Sequence, residues 1–252
     1  MTTTNTTDTA ASGAAGADTS GWKVHQHDPI EELAENLWRV EGSLPKMALR
    51  RHMLVARDSD GRLLIHNGVA LGEADMAKLE AFGTPTWLVV PNGWHRLDAR
   101  AYKARYPQLQ VLCPRGSRKK VEQVIPVDAT YEQFAPTATL RLTHLRGLKD
   151  AEGVLEVLSE DGVTLVFNDT VFNQPHLPGV FGTMYKLLGQ SGRPKVTLIA
   201  KLFMVKDKRE LAKHLHELAD IPKLTRVIPG HITPIVEDAS ATLHALAREL
   251  GG

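Results

Sequence analysis

The chain has 252 residues, 42% of them hydrophobic and 23% charged, which suits one large globular domain or two small ones. A formal net charge of +1 excludes a protein that holds nucleic acid by bulk positive charge, since that needs a concentrated basic surface. The lone cysteine, Cys113, excludes an internal disulfide and a cysteine-built zinc cluster, and fits a reducing compartment.

Residues 1–21 (MTTTNTTDTAASGAAGADTSG) lack the basic start and apolar core of a secretory signal and the arginines of a transit peptide. They carry too little apolar surface to offset their ordering entropy, so a disordered leader is expected there, followed by one domain over 22–252. No run approaches the roughly 20 apolar residues of a membrane span. The expectation is a cytoplasmic protein with neither a membrane nor a nucleic-acid partner.

Leu37–Glu41 alternates apolar and polar residues as a half-buried strand does. His52–Arg57 and Arg62–His66, either side of Asp58-Ser59-Asp60-Gly61, read as a β-hairpin. Gly72–Phe82 has helical spacing at Met76, Leu79 and Phe82, with Gly83 as a stop. Thr86–Val90 is a continuous apolar strand that empties into Pro91-Asn92-Gly93. A helix over Leu97–Tyr106, stopped by Pro107, precedes another buried strand, Leu109–Cys113. Cys113, at the end of that strand, reads as a buried small hydrophobe, and Arg115–Lys120 (RGSRKK) as a solvated turn or helix start.

The second half repeats the alternation. Leu140–His144, Val154–Leu158 and Val163–Phe167 read as strands, the last two joined by a turn at Glu160-Asp161-Gly162. Gly179–Leu188 is apolar and helical, as a lid or a homodimer contact, with core packing the plain reading for Phe181, Leu187 and Leu188. Asp207 can cap a helix to Ala219 that carries Leu211, Leu215 and Leu218 on one face, leaving His214 and His216 toward solvent. Thr225–Ile228 is a short strand before Pro229-Gly230-His231, and Asp238 can cap the last helix.

Three segments after strands carry a resemblance. Leu165–Phe172 (LVFNDTVF), Val227–His231 (VIPGH) and Leu88–His95 (LVVPNGWH) resemble, in order and spacing, the metal-site loops of the metallo-β-lactamase superfamily. The likeness spans roughly Trp38 to Leu250 and is closest to a divergent branch with an Asn-containing loop in place of H-x-H-x-D-H. It implies an α/β fold, an αββα four-layer sandwich of two mixed β-sheets flanked by helices. It also implies that Asp169 and His231 stand where the superfamily has metal ligands. Asn92, Trp94, Arg96 and Leu97 stand where it has His, His, Asp and His, and Leu148 falls near its third histidine. A dinuclear zinc hydrolase is therefore not expected, because Trp, Arg and Leu offer no ligand lone pair.

In such a fold His66, Asn92, His95, Asp169 and His231 all follow strands facing one cleft. His66, Asp169 and His231 are the expected holders of at most one divalent metal (zinc, iron or manganese), which could activate water for hydrolysis. His95, Asp169 and His231 are the candidate catalytic residues, and Asp169 with His231 could also act as a metal-free acid–base pair. The alternative is a catalytically silent protein that binds a small molecule in the same cleft or serves as a scaffold. Asn92, Trp94, Arg96 and His176 would then line the pocket, as an aromatic wall and an anion-binding guanidinium.

Overall fold

The computed structural model describes residues 21–45, 47–176, 179–187, 191–198 and 200–251. The expected leader, apart from Gly21, lies outside these, as does Leu188.

Strands β1 (Glu31–Ala34), β2 (Leu37–Leu44), β3 (Met47–Arg57) and β4 (Arg62–His66) form an antiparallel meander. Helix α1 (Glu73–Phe82) then crosses over so that β5 (Thr84–Val89) lies parallel to β4. Helix α2 (Ala99–Arg105), β6 (Gln110–Cys113), the short helix α3 (Arg118–Val121) and β7 (Ala129–Thr130) complete a seven-stranded sheet in sequence order.

The second sheet opens with the antiparallel strands β8 (Leu140–His144), β9 (Gly153–Ser159) and β10 (Gly162–Val166). Next comes an excursion: β11 (Val171–Asn173), helix α4 (Gly179–Leu187) and β12 (Pro194–Val196), the two strands pairing with each other. A π-helical turn (Ala200–Met204) and helix α5 (Lys208–Ala219) lead to β13 (Leu224–Ile228), which lies parallel to β10, and helix α6 (Ala239–Glu249) follows. The sheet order is β13-β10-β9-β8.

The two-residue period of the strands sorts the core into three clusters. Leu64, Trp87, Val89 and Leu112 of the first sheet meet Leu142, Leu155, Val166 and Ile228 of the second in a shared interior. The alternate residues Leu63, Ile65, Leu88 and Val111 face outward onto Met76 and Leu79 of α1 and Tyr102 of α2. On the far side, Leu165 and Val227 pack onto Leu211 and Leu215 of α5 and Leu243 and Leu246 of α6. The layers are thus helix, sheet, sheet, helix, as expected.

Caps and turns behave unevenly. Asp207 accepts from the backbone N–H groups of Arg209 (2.9 Å) and Glu210 (3.1 Å), a cap worth about 1 kcal/mol. Asp238 precedes α6 in a left-handed conformation, and its side chain makes no capping bond, contrary to expectation. His214 and His216 are not the solvent-facing pair expected. His214 Nδ1 accepts from the Arg146 N–H at 3.0 Å, and His216 Nδ1 lies 2.7 Å from Nδ1 of His244 on α6. Leu187 does not pack in the core either, being 83% exposed.

Candidate metal centre

Four parallel-paired strands, β4 with β5 and β10 with β13, end on the same rim, and the segments that leave them carry the candidate residues. β4 delivers His66 and Asn67, the loop after β5 delivers Asn92 and His95, the turn after β10 delivers Asp169, and the loop after β13 delivers His231.

Three side chains converge there. His95 Nε2 lies 3.1 Å from Asp169 Oδ1, His231 Nε2 lies 3.4 Å from the same oxygen, and the two Nε2 atoms are 3.2 Å apart. The side chains are only 8%, 15% and 4% exposed for His95, Asp169 and His231. Burial pushes the Asp169 carboxyl upward, but the facing His95 and His231 rings hold it well below the usual carboxylate range. The ring of Phe172 stands 5.5 Å from that of His231 and forms an apolar wall.

The surroundings dictate which ring nitrogens carry protons. Asn67 donates its amide to the His52 carbonyl at 2.8 Å, which turns its Oδ1 toward His95 Nδ1, 3.2 Å away. His231 Nδ1 lies 2.6 Å from the carbonyl oxygen of Arg50, which can only accept. Both Nδ1 atoms are therefore N–H donors, and both Nε2 atoms are turned toward Asp169 Oδ1. Asn92 is oriented in the same way. Its Oδ1 accepts from the N–H groups of Trp94 (2.9 Å) and His95 (3.2 Å), so its Nδ2 donates to Asp169 Oδ2 at 2.7 Å. Asp169 Oδ1 is left facing the two imidazoles.

Three such atoms this close are held together by a shared proton or by a cation among them. Ligand atoms about 2.1 Å from a common metal ion sit about 3.0–3.4 Å from one another in tetrahedral or octahedral arrangement, the spacing seen here. The outer contacts also fit, since metal-binding histidines characteristically donate their second N–H to a carbonyl or carboxylate. Two imidazoles and one carboxylate thus suit a divalent zinc, iron or manganese ion.

Solved structures with the same architecture include several metallo-β-lactamases. The chain aligns with a metallo-β-lactamase from Pontibacter korlensis at a TM-score of 0.59 and 12% identity, covering 88% of this chain and 99% of that one. The DIM-1 metallo-β-lactamase gives 0.59 at 14% identity over 90% and 99% of the two chains. A metallo-β-lactamase from Erythrobacter litoralis gives 0.57 at 13% identity over 87% and 96%. The chain has the metallo-β-lactamase fold. The sequence itself matches no protein-family profile and no curated protein.

On this metallo-β-lactamase fold the expected residues separate into two groups. His95, Asp169 and His231 are gathered, and Asn92 is bonded to Asp169. His66 stands outside the gathered trio, although it was expected among the metal-holding residues. It is fully buried at the end of β4, its Nδ1 has no hydrogen-bond partner, and burial with His95 nearby pushes it down to about 3. Trp94 is 52% exposed, with Lys120 Nζ 4.7 Å above its ring. Arg96 turns to α3, donating to the Lys120 carbonyl at 2.5 Å and to Gln123 Oε1 at 3.1 Å. His176 pairs with Ser191 Oγ at 2.9 Å across the excursion that holds α4. Leu148, expected near the superfamily's third histidine, packs in the outer apolar cluster with residues of α5 and α6.

Three contributors were not legible beforehand. Asn67 adopts φ 57°, a left-handed conformation that Asn tolerates better than most residues, and this aims its side chain at His95. Arg50 contributes only a carbonyl. Glu152 is fully buried, and its carboxylate accepts the N–H groups of Asn168 (3.0 Å), Asp169 (2.8 Å) and Thr170 (3.0 Å). Burial and the Asp169 charge push Glu152 up to about 7, against the pull of those N–H groups. In sequence it sits in Asp150-Ala151-Glu152-Gly153, just before the strand read at Val154–Leu158.

Proposed function

We propose that the protein is a hydrolase with a single divalent metal ion held by His95, Asp169 and His231. The observation that carries this reading is the triangle of three potential ligand atoms, with edges of 3.1, 3.2 and 3.4 Å, whose two imidazoles are oriented by acceptors at Nδ1. When bound, such an ion supplies Lewis acidity and makes a water nucleophilic near neutral pH.

The chain's own residues divide the remaining work. Asn92 binds one oxygen of Asp169 and keeps the other facing the imidazoles. Glu152 holds the backbone of the Asp169 turn. Phe172 limits water on the His231 side, and Trp94, exposed on the loop that carries His95, offers an aromatic surface to a small-molecule substrate.

Elemental analysis of untagged protein purified without chelator tests the reading, alongside His95→Ala, Asp169→Ala, His231→Ala and His66→Ala. Near-stoichiometric metal that is lost in the first three variants and kept in His66→Ala is the expected result. Loss in His66→Ala with retention in His95→Ala would return the centre to the His66, Asp169 and His231 set. Metal-free protein that stays so after incubation with zinc, iron and manganese would overturn the reading. The cluster would then share a proton, and a silent ligand-binding protein would be the better description.

A further inference from the structure

Large exposed apolar side chains are unevenly distributed among the described residues. Val180, Met184, Leu187, Leu198, Leu202 and Phe203 all fall between residues 180 and 203, whereas Val24, Met47, Trp94, Leu97, Leu158 and Val236 are scattered over the rest. Three of the first group belong to α4, and their spacing of four and three residues places them on one side of it. Val180 is 90%, Met184 47% and Leu187 83% exposed, so this side of the helix faces away from the protein. β11 and β12, paired with each other, form the stalk on which the helix is carried.

Charge is concentrated in the same stretch. Residues 179–209 contain Lys186, Arg193, Lys201, Lys206, Lys208 and Arg209, besides the buried Lys195, against one acid, Asp207, in a chain whose net charge is +1. Arg193 is paired with Glu249 of α6. The near-neutral total conceals this local excess.

We propose that α4 and the basic chain following it dock peripherally on an anionic lipid surface. A helix with an exposed apolar side and neighbouring lysines lies at the headgroup boundary, apolar side chains inserted and cations on the lipid phosphates. A second copy of the chain is the poorer occupant. A two-fold contact through α4 would set each basic stretch against its duplicate, and like charges would oppose the association. No helix among the described residues is long and apolar enough to cross a membrane, so the attachment is to one face of it.

Co-sedimentation of the full chain with vesicles tests this, using phosphatidylcholine alone and phosphatidylcholine mixed with phosphatidylglycerol. The expected result is pelleting with the mixed vesicles only, reversed by high salt. It should be lost in Val180→Asp/Leu187→Asp and weakened roughly tenfold or more in Lys186→Glu/Lys201→Glu. Both pairs change residues outside the core, and unchanged circular dichroism and melting temperature show that the fold is intact. Equal pelleting with neutral vesicles, no pelleting with either, or undiminished pelleting of the aspartate variant overturns the proposal. A dimer in light scattering that the aspartate variant abolishes, with no vesicle binding, assigns the face to a second copy and overturns it as well.

Discussion

Asn67 Oδ1 lies 3.2 Å from His95 Nδ1, and this contact decides which nitrogen of His95 can bind a metal. Asn67→Gly suits the left-handed backbone and removes the acceptor, together with the amide's bond to the His52 carbonyl. Metal affinity should fall by about 10- to 100-fold, as is usual when an outer partner of a ligand histidine is lost. Competition against a chromophoric chelator measures it, and unchanged affinity would show that the tautomer is set elsewhere.

Glu152 satisfies three buried N–H groups at once. Glu152→Ala should cost about 3 kcal/mol or more in denaturant unfolding, since orphaned buried donors carry their full desolvation cost. The variant should also lose metal, because Asp169 is aimed by the same turn. Wild-type stability and metal content together would remove Glu152 from the site.

The architecture was legible because it rests on repeated local signals. The apolar runs at Thr86–Val90 and Val163–Phe167 correspond to β5 and β10, and the spacing of Leu211, Leu215 and Leu218 to α5. What escaped was short or dependent on distant partners: β1, β7, β11 and β12 have two to four residues each, too few for a period to show. The site was half legible for the same reason. Asp169 and His231 lie in recognisable strand ends, whereas the geometry of His95 depends on an Asn67 amide 28 residues away and that of His231 on a carbonyl 181 residues away.

Protonation of His214 should weaken the fold in acid. Burial, with Arg146 adjacent, pushes its imidazole down to about 4 from 6.5. The unfolded chain therefore takes up this proton at higher pH than the folded one, so stability is full above about 6.5 and declines as pH falls toward 4. Protonating Nδ1 also breaks the bond from the Arg146 N–H. Melting temperatures of His214→Gln between pH 7 and 5 should decline less steeply than those of the wild type; parallel curves would refute the assignment.

Gly147 has φ 80°, and a Cβ there would collide with the backbone of Asp207 and Leu211. Gly147→Ala combines left-handed strain with overpacking against the start of α5. It should destabilise by about 2–4 kcal/mol. A loss below about 0.5 kcal/mol in chemical denaturation would mean that the turn and helix shift apart freely.

Cys113 is buried among outer-core side chains, and burial pushes its thiol up to about 12. Ellman's reagent should leave it unmodified in the native protein and label it fully in denaturant. Rapid native labelling would contradict its placement.

The Pro229-Gly230-His231 turn leaves β13 but is fastened to β3. The His52 N–H donates to the Gly230 carbonyl, the His52 ring bonds the Pro229 carbonyl, and His231 bonds the Arg50 carbonyl. An ion among His95, Asp169 and His231 would add a fourth tie across the same seam, because His95 comes from the first sheet's half of the chain and the other two from the second. Loading and the union of the halves would then be a single equilibrium. Chelation would be felt first as faster amide exchange where the halves meet, well before either sheet came apart.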